Sequence, residues 1–247
     1  MFPYRDENET IRTPYATFVL IALNVAAWLF VQGAGSPMAL ARSICDLGLI
    51  PGELTLSVPP GTRFAMGEGL VCLTDPGRQV SHVLTSMFLH GGWMHILGNM
   101  WFMWIFGNNV EDAMGHLRFV VFYLLTGAAA VLAQVLLTPA SAVPMVGASG
   151  AISGVMGAYI VLYPKVRVHM IIFLGFFITR AVVPAYVMLG YWFLLQIVGG
   201  LPSLGGEDTG GVAVWAHAGG FLAGAVLILL FRDEDLVARH RALARYV

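Results

Sequence analysis

Long apolar segments recur along the whole chain, and each is about as long as a bilayer is thick. A helix needs roughly 20 apolar residues to cross the hydrocarbon core, which is about 30 Å thick. Six segments come close to that length; they cover residues 16–32, 90–106, 119–137, 147–162, 181–198 and 212–231. A content of 58% hydrophobic and only 11% charged residues fits the same interpretation. The sequence therefore predicts an all-α polytopic membrane protein with six transmembrane helices.

The connections between the predicted helices are short, with one exception. Residues 33–89 form a long polar loop between the first two helices, rich in proline and glycine, and loops of this length are usually functional or disordered. Residues 107–117 are predicted to be a solvated turn. Residues 170–178 are apolar but too short to span, so we expect them to lie along the membrane surface or to lengthen the fifth helix.

The basic residues predict the orientation. With six helices both termini lie on one side, and that side holds ten of the thirteen lysines and arginines. The positive-inside rule makes this side cytoplasmic. Residues 1–15 and 232–247 are then cytoplasmic tails around a membrane domain of residues 16–231, with the long loop outside. A net charge of −1 without a basic cluster excludes nucleic acid as a partner. A bacterial inner membrane is the expected location, since the chain is compact and shows no targeting tail.

A serine set among glycines opens the fourth predicted helix. Ser149 lies in the motif G-A-S-G, in the first helical turn. Backbone N–H groups there lack partners within the helix, and the helix dipole is positive, so negative charge that develops beside the serine would be stabilised. Ser149 is therefore a candidate nucleophile. The alternative is that small residues merely let membrane helices pack closely.

Glycines predict that the fourth and sixth helices pack closely. His217, Gly220 and Gly224 share one face of the sixth helix, because they are three and four residues apart. The fourth helix offers a matching face of small residues: Gly150, Ser153, Gly154 and Gly157. Packing these faces together would bring His217 toward Ser149, which makes His217 a candidate general base.

The second predicted helix opens on polar residues. His95 and Asn99 are four residues apart, so an imidazole and a carboxamide share one helical face and can donate hydrogen bonds to a common point. Polar side chains at membrane depth usually face a cavity or a partner, which makes the pair a candidate site. A hydrogen bond between helices is the alternative. His90 lies near the interface and is predicted to be structural.

Together these motifs resemble the rhomboid family of intramembrane serine proteases. H-x-x-x-N in the second helix, G-x-S-G in the fourth and A-H-x-x-G-x-x-x-G in the sixth follow the family's order, and the resemblance covers residues 16–231. It implies a six-helix bundle in which Ser149 is the nucleophile and His217 the base of a dyad without a carboxylate. The oxyanion would be held by the Ser149 backbone N–H with His95 and Asn99. The implied substrates are transmembrane proteins, cut near the outer ends of their spans without metal or cofactor.

Two features depart from well-known members of the family. A Trp-Arg pair is missing from residues 33–89, and the position four residues after the nucleophile is Ser153 where some members have a tyrosine stacked on the histidine. What orients His217 is therefore open. Glu111 resembles a carboxylate that the family often has after the second helix, and we expect it to be structural.

The two cysteines of the chain, Cys45 and Cys72, both lie in the long loop. If the loop faces an oxidising compartment they could pair, and closing this loop would stabilise the fold by roughly 3 to 4 kcal/mol. Two buried free thiols are an equally good interpretation.

Two other classes of function share some of these features. One is a catalytically silent rhomboid-like protein that binds membrane clients, although such a protein needs neither Ser149 nor His217. The other is a transporter or metal-handling protein with His90, His95 and His217 as ligands. No H-E-x-x-H motif and no acidic residues of the kind that mark ion pathways occur in the spans. The metal interpretation therefore ranks last.

Overall fold

A computed structural model of the chain describes residues 2–66, 71–174, 177–204 and 213–243, and most of them are helical. The helices are α1 Tyr15–Ala26 with a π-helical continuation Ala27–Val31, α2 Pro37–Leu47, α3 Pro51–Thr55, α4 His82–Thr85, α5 Trp93–Met114, α6 His116–Leu137, α7 Ser149–Leu162, α8 Ala185–Leu204, α9 Val214–Phe231 and α10 Glu234–Leu243. The strands are β1 Phe2–Asp6, β2 Arg63–Ala65, β3 Val71–Leu73, β4 Arg167–Leu174 and β5 Phe177–Pro184.

Six of these helices correspond to the six predicted spans. By length and composition alone, α6, α8 and α9 are long and apolar enough to cross a membrane. Helix α1 with its continuation and helix α7 are apolar but shorter. Helix α5 has 22 residues and carries Glu111 and Asp112 near its end. The protein is thus a polytopic helical membrane protein, while the crossing of all six helices stays a prediction.

The prediction of an all-α fold is wrong outside the long helices, where two small antiparallel sheets form. Strands β4 and β5 form a hairpin that pairs Arg167 with Pro184, and β1 adds to the free edge of β4. Residues 170–174 and 177–178 therefore belong to strands and do not extend α8. That this segment lies along the membrane surface stays a prediction. Val168 and Met170 are buried on one face while Arg167 is exposed on the other, the alternation of a half-buried strand. Because β5 ends at Pro184, the fifth long helix begins at Ala185 and not at residue 181.

The N-terminal segment, predicted to be a tail, is tied to the membrane domain. Strand β1 pairs Phe2 with Ile171 and Asp6 with Val168. The Asp6 carboxylate then accepts a hydrogen bond from the hydroxyl of Tyr159, near the end of α7. The end of α7 opposite Ser149 is therefore held by residues from the start of the chain.

The burial of Asp6 predicts a pH-dependent stability. Burial raises the pKa of Asp6 from its usual value of 3.8 to about 6, against the opposing effect of the Tyr159 hydrogen bond. The folded state binds this proton more tightly than the unfolded chain, so the stabilising contribution is complete below pH 3.8 and is lost as the pH rises through about 6. As the pH rises from roughly 4 to 7, we expect the melting temperature of Asp6→Asn to fall by less than that of the wild type. Asp46→Asn, at an exposed position, is the control; equal losses in wild type and Asp6→Asn would contradict the prediction.

The predicted solvated turn after the second span is part of a buried helical end. Helix α5 continues to Met114, and Glu111 is 1% exposed. Its carboxylate accepts hydrogen bonds from the backbone N–H groups of Ala16 and Thr17 and from the Thr17 hydroxyl, at 2.7 to 2.9 Å. Glu111 thus satisfies the first N–H groups of α1, which the helix itself leaves unpaired. The structural role expected for Glu111 is confirmed, though it lies on a helix.

The centre of the bundle is the close contact between α7 and α9. A Cβ atom on Gly220 would lie 2.1 Å from the carbonyl oxygen of Gly150, and one on Gly224 would lie 1.9 Å from that of Gly154. Glycine is therefore needed on α9 for the two backbones to approach this closely. The predicted packing of the two small-residue faces is confirmed.

The long loop folds into short elements, α2 to α4 with the β2–β3 hairpin, and its cysteines are bonded. Cys45 lies in α2 and Cys72 in β3, with Cα atoms 5.5 Å apart and 27 positions apart in sequence. The bond ties the hairpin to α2. Of the two interpretations that the sequence leaves open, the structure therefore has the disulfide and not the two free thiols.

Reduction of this bond is expected to lower the free energy of unfolding by about 3 to 4 kcal/mol, because the unfolded chain regains the freedom of the closed loop. The measurement is the melting temperature with and without reductant, together with the mass after alkylation. Wild type should be alkylated at both cysteines only after reduction. The Cys45→Ser/Cys72→Ser variant should not respond to reductant, and alkylation of unreduced wild type would overturn the pairing.

Candidate active site

Ser149 and His217 meet at one end of the α7–α9 contact. Ser149 is the first residue of α7 and His217 is the fourth residue of α9. Ser149 Oγ and His217 Nε2 are 2.7 Å apart, a hydrogen-bonding distance. The two side chains meet because glycines on the facing sides of α7 and α9 let the helix backbones approach closely. This is the geometry of a nucleophile beside its base.

The other ring nitrogen of His217 faces α8. His217 Nδ1 lies 2.8 Å from Oε1 of Gln196, and the ring of Trp192 lies tilted against the imidazole with centroids 5.9 Å apart. Sequence reasoning missed both residues. The available signal was a glutamine within an otherwise apolar span, which usually means a polar partner inside the bundle.

His95 is held with one nitrogen free to donate. Its Nδ1 accepts a hydrogen bond from the Gly91 backbone N–H at 3.1 Å, so the neutral ring carries its proton on Nε2. Gly147 separates this nitrogen from the serine. A Cβ atom on Gly147 would lie 2.8 Å from His95 Nε2 and 3.2 Å from Ser149 Oγ, and its φ of +137° is also one that favours glycine.

Asn99 supplies a second free donor. The residue is 7% exposed, and its side-chain nitrogen has no hydrogen-bond partner among the residues that the structure describes. A buried N–H without a partner is costly, and a role at a functional site is one explanation for keeping it. The structure thus brings together all four sequence-predicted site residues, because Asn99 and His95 line the same cavity as Ser149 and His217.

This cavity has a volume of about 350 Å³. Apart from the four site residues its walls are largely apolar, and they include Met94, Phe102, Ile152, Met156 and Trp192. A second cavity of about 20 Å³ adjoins Ser149 beside Ser86 and Gly147. The second volume is enough for about one water molecule.

His90 lies behind the site. It is fully buried, and the Gln32 side chain brackets its backbone, accepting from the His90 N–H and donating to the His90 carbonyl. Its ring packs edge-on against that of His95, with centroids 5.2 Å apart. Within the described ranges, no three His, Cys, Asp or Glu side chains are grouped so that they could hold a metal ion.

The fold and the site together define a helical membrane protein in which a serine and a histidine from two packed helices face one cavity. A family model described as "Rhomboid domain" matches residues 77–234, more than half of the chain. The chain belongs to the rhomboid family.

Individual relatives agree with this assignment. The chain is 32% identical over 152 residues to "Rhomboid-like protein 11, chloroplastic" of Arabidopsis thaliana, covering 60% of this chain and 51% of the relative. It is 30% identical over 145 residues to "Rhomboid protease GluP" of Bacillus subtilis, covering 59% and 25%. It is 28% identical over 228 residues to "RHOMBOID-like protein 1" of Arabidopsis thaliana, covering 88% and 53%. The matched regions thus span about half or less of these relatives.

Proposed function

We propose that the protein is an intramembrane serine endopeptidase that hydrolyses peptide bonds in or near transmembrane segments of other membrane proteins. The observation that carries the proposal is the 2.7 Å distance between Ser149 Oγ and His217 Nε2 at the wall of a cavity. Family membership and the similarity to a relative named as a protease support the same activity. Ser149 is the nucleophile and His217 the general base of this dyad.

Proton transfer within the dyad activates the serine. His217 Nε2 takes the hydroxyl proton while Ser149 Oγ bonds to the carbonyl carbon of the scissile peptide, and the carbonyl electron pair moves onto oxygen. The imidazolium then protonates the leaving nitrogen, the C–N bond breaks, and an ester remains on Ser149. Water, deprotonated by the same imidazole, attacks this ester in the second half-reaction. The carboxylic acid is released and the serine regains its proton.

Three donors stabilise the oxyanion. They are the Ser149 backbone N–H in the first turn of α7, Nε2–H of His95 and the side-chain N–H of Asn99. The first benefits from the positive end of the helix dipole. The other two are supported by the hydrogen bond that fixes the His95 tautomer and by the absence of a partner for the Asn99 nitrogen among the described residues. Donors fixed before the reaction need no reorganisation when charge develops.

Loss of one donor gives a measurable effect. Asn99→Ala is expected to lower kcat by about 100-fold, because removing one oxyanion donor typically costs 10²- to 10³-fold. KM should change much less, since the interaction is made mainly in the transition state. The control is Asn108→Ala, a residue of the same helix outside the cavity lining. Full activity of Asn99→Ala would remove this residue from the oxyanion site.

We propose that the substrates are transmembrane proteins and that they reach the site from within the lipid bilayer. The largely apolar cavity walls favour an apolar chain, and the positive-inside rule puts the dyad toward the outer face. A substrate helix would unwind there to present its scissile carbonyl within about 3 Å of Ser149 Oγ. Because this route passes through the bilayer, soluble proteins should be poor substrates.

We also propose that both termini are cytoplasmic and that the membrane is the plasma membrane of a bacterium. One relative comes from a bacterium, whereas names of plant relatives assign them to the chloroplast or the mitochondrion. Fractionation of the cells that make the protein tests this location. Recovery of the native protein in a bacterial plasma membrane fraction would support the proposal, and recovery in a chloroplast or mitochondrial membrane would contradict it.

The activity is tested with purified protein in proteoliposomes and a panel of single-span proteins that carry small residues near the outer end of the span. Mass spectrometry of the products gives the cleavage sites. We expect fragments cut in or near the span with wild type and none with His217→Ala. The same fragments from both proteins, or none from a folded wild type, would contradict the proposal.

A further inference from the structure

Helix α8 holds His217 from the side opposite the serine. Gln196 and Trp192 are four residues apart, so they lie one turn apart on the same face of α8. Gln196 Oε1 is 2.8 Å from His217 Nδ1, and the Trp192 ring is tilted against both His217 and Phe221. The imidazole therefore has Ser149 at one nitrogen and Gln196 at the other, with an indole beside it.

An amide oxygen can only accept a hydrogen bond, so it requires a proton on His217 Nδ1. With that proton in place, the neutral ring has its lone pair on Nε2, the nitrogen that faces Ser149 Oγ. The opposite tautomer would present an N–H to the serine and could not take its proton. The same amide oxygen also accepts from the imidazolium that forms during attack, and a hydrogen bond to a charged donor is stronger than one between neutral groups.

We propose that Gln196 is a positioning residue that selects the reactive tautomer of His217, and that Trp192 holds the plane of the ring. The inference rests on the proposed function and extends it to α8. In a serine protease with a triad, a carboxylate has this task. A neutral amide can replace it for tautomer selection while contributing no charge.

The residues nearest the dyad on α7 do not offer an alternative. Ser153 is fully buried, and its hydroxyl donates to the Ser149 carbonyl oxygen at 2.6 Å, one turn back on its own helix. The position where a tyrosine would stack on the histidine therefore makes no hydrogen bond to His217 among the described residues. The titratable side chain that faces His217 across the cavity is His95, which is a donor to the cavity and not an acceptor for Nδ1.

The tautomer can be read directly, without any substrate. The measurement is the pair of ring ¹⁵N chemical shifts of His217 in the folded protein, assigned by their loss in His217→Asn. We expect the Nδ1–H form in wild type and a loss of this preference in Gln196→Met, which keeps the length of the side chain but removes the acceptor. Leu195→Met, at the neighbouring exposed position of α8, should match wild type. An Nε2–H form in wild type, or an unchanged tautomer in Gln196→Met, would overturn the inference.

The reactive consequence is measured as the rate of Ser149 labelling by a fluorophosphonate across pH. Gln196→Met should react at least about 10-fold more slowly, since loss of tautomer control in a serine protease costs up to 10⁴-fold. Gln196→Glu restores an acceptor and should recover the rate, with the acidic limb of its profile moved to higher pH because the carboxylate stabilises the imidazolium. A purely structural role would lower the amount of reactive protein without moving that limb.

The tautomer measurement and the labelling measurement together distinguish a failure of the proposed function from a failure of the positioning role. A wild-type protein that shows the Nδ1–H tautomer but is never labelled would refute the proposed function and leave the positioning role intact. A labelled wild type whose rate and profile are shared by Gln196→Met and Gln196→Glu would refute the positioning role alone.

Discussion

Replacing Ser149 with alanine is expected to abolish cleavage of transmembrane substrates, with a fall in kcat on the order of 10⁶-fold, as in other serine proteases that lose their nucleophile. In the proposed mechanism, Ser149 Oγ is the group that bonds to the scissile carbon. No other side chain of the described residues lies where it could take over this attack. His217→Ala should lose about as much, because nucleophile and base act as one unit. The measurement is product formation in proteoliposomes, with Ser57→Ala, an exposed serine of the long loop, as the matched control.

The same variant separates the enzyme from a protein that only binds membrane clients. Ser149→Ala should keep the melting temperature of wild type and should still bind substrate, since only one small hydroxyl is removed. Persistent cleavage by Ser149→Ala would show that another residue, or a contaminant, is responsible. Clients that bind a folded wild type without ever being cut would favour the client-binding class.

Gly224→Ala is expected to disrupt the bundle. Its Cβ would lie 1.9 Å from the carbonyl oxygen of Gly154 and 2.6 Å from that residue's Cα, so the obstacle is backbone and not a flexible side chain. Helices α7 and α9 would have to separate; overpacking typically costs about 1 to 3 kcal/mol, and we expect the upper end of this range because the obstacle is backbone. Because Ser149 and His217 stand on these helices, labelling of Ser149 should fall together with the melting temperature.

A glycine in open space provides the control. A Cβ on Gly190, in α8, would have no atom of the described structure within 4 Å, so Gly190→Ala should fold and react like wild type. Thermal unfolding of the two variants in the same detergent is the comparison. If Gly224→Ala melts within a few degrees of Gly190→Ala and keeps its reactivity, the close approach of α7 and α9 is not needed for the site.

The dyad could be predicted because its cause is local. The spacing of His217, Gly220 and Gly224 fixes one face of a helix, and the small residues after Ser149 fix a matching one. Backbones lined by glycine can approach this closely, so the sequence predicts which two helices pack and that His217 lies toward Ser149. The residue-to-residue contacts, Gly220 on Gly150 and Gly224 on Gly154, come from the structure. The catalytic roles themselves remain proposals that the predicted experiments test.

Other parts of the fold depend on partners far away in sequence. The alternation of the β4 strand is hidden because apolar residues such as Ile171 and Ile172 occupy both faces, and its partner β1 lies more than 160 residues earlier. The sequence predicts a solvated turn over residues 107–117, and nothing beside Glu111 shows that its carboxylate caps α1, 95 residues away. Gln196 was missed for the same reason, since a single amide in a span does not reveal which residue it meets.

The central claim is that Ser149 is a nucleophile activated by His217. The most direct test treats the purified, folded protein with a fluorophosphonate probe and determines the mass and the site of the adduct, which requires no knowledge of the substrate. We expect one adduct, on Ser149, in wild type and none in His217→Ala. A demonstrably folded wild type that remains unlabelled, or that is labelled at a different residue, would contradict the account.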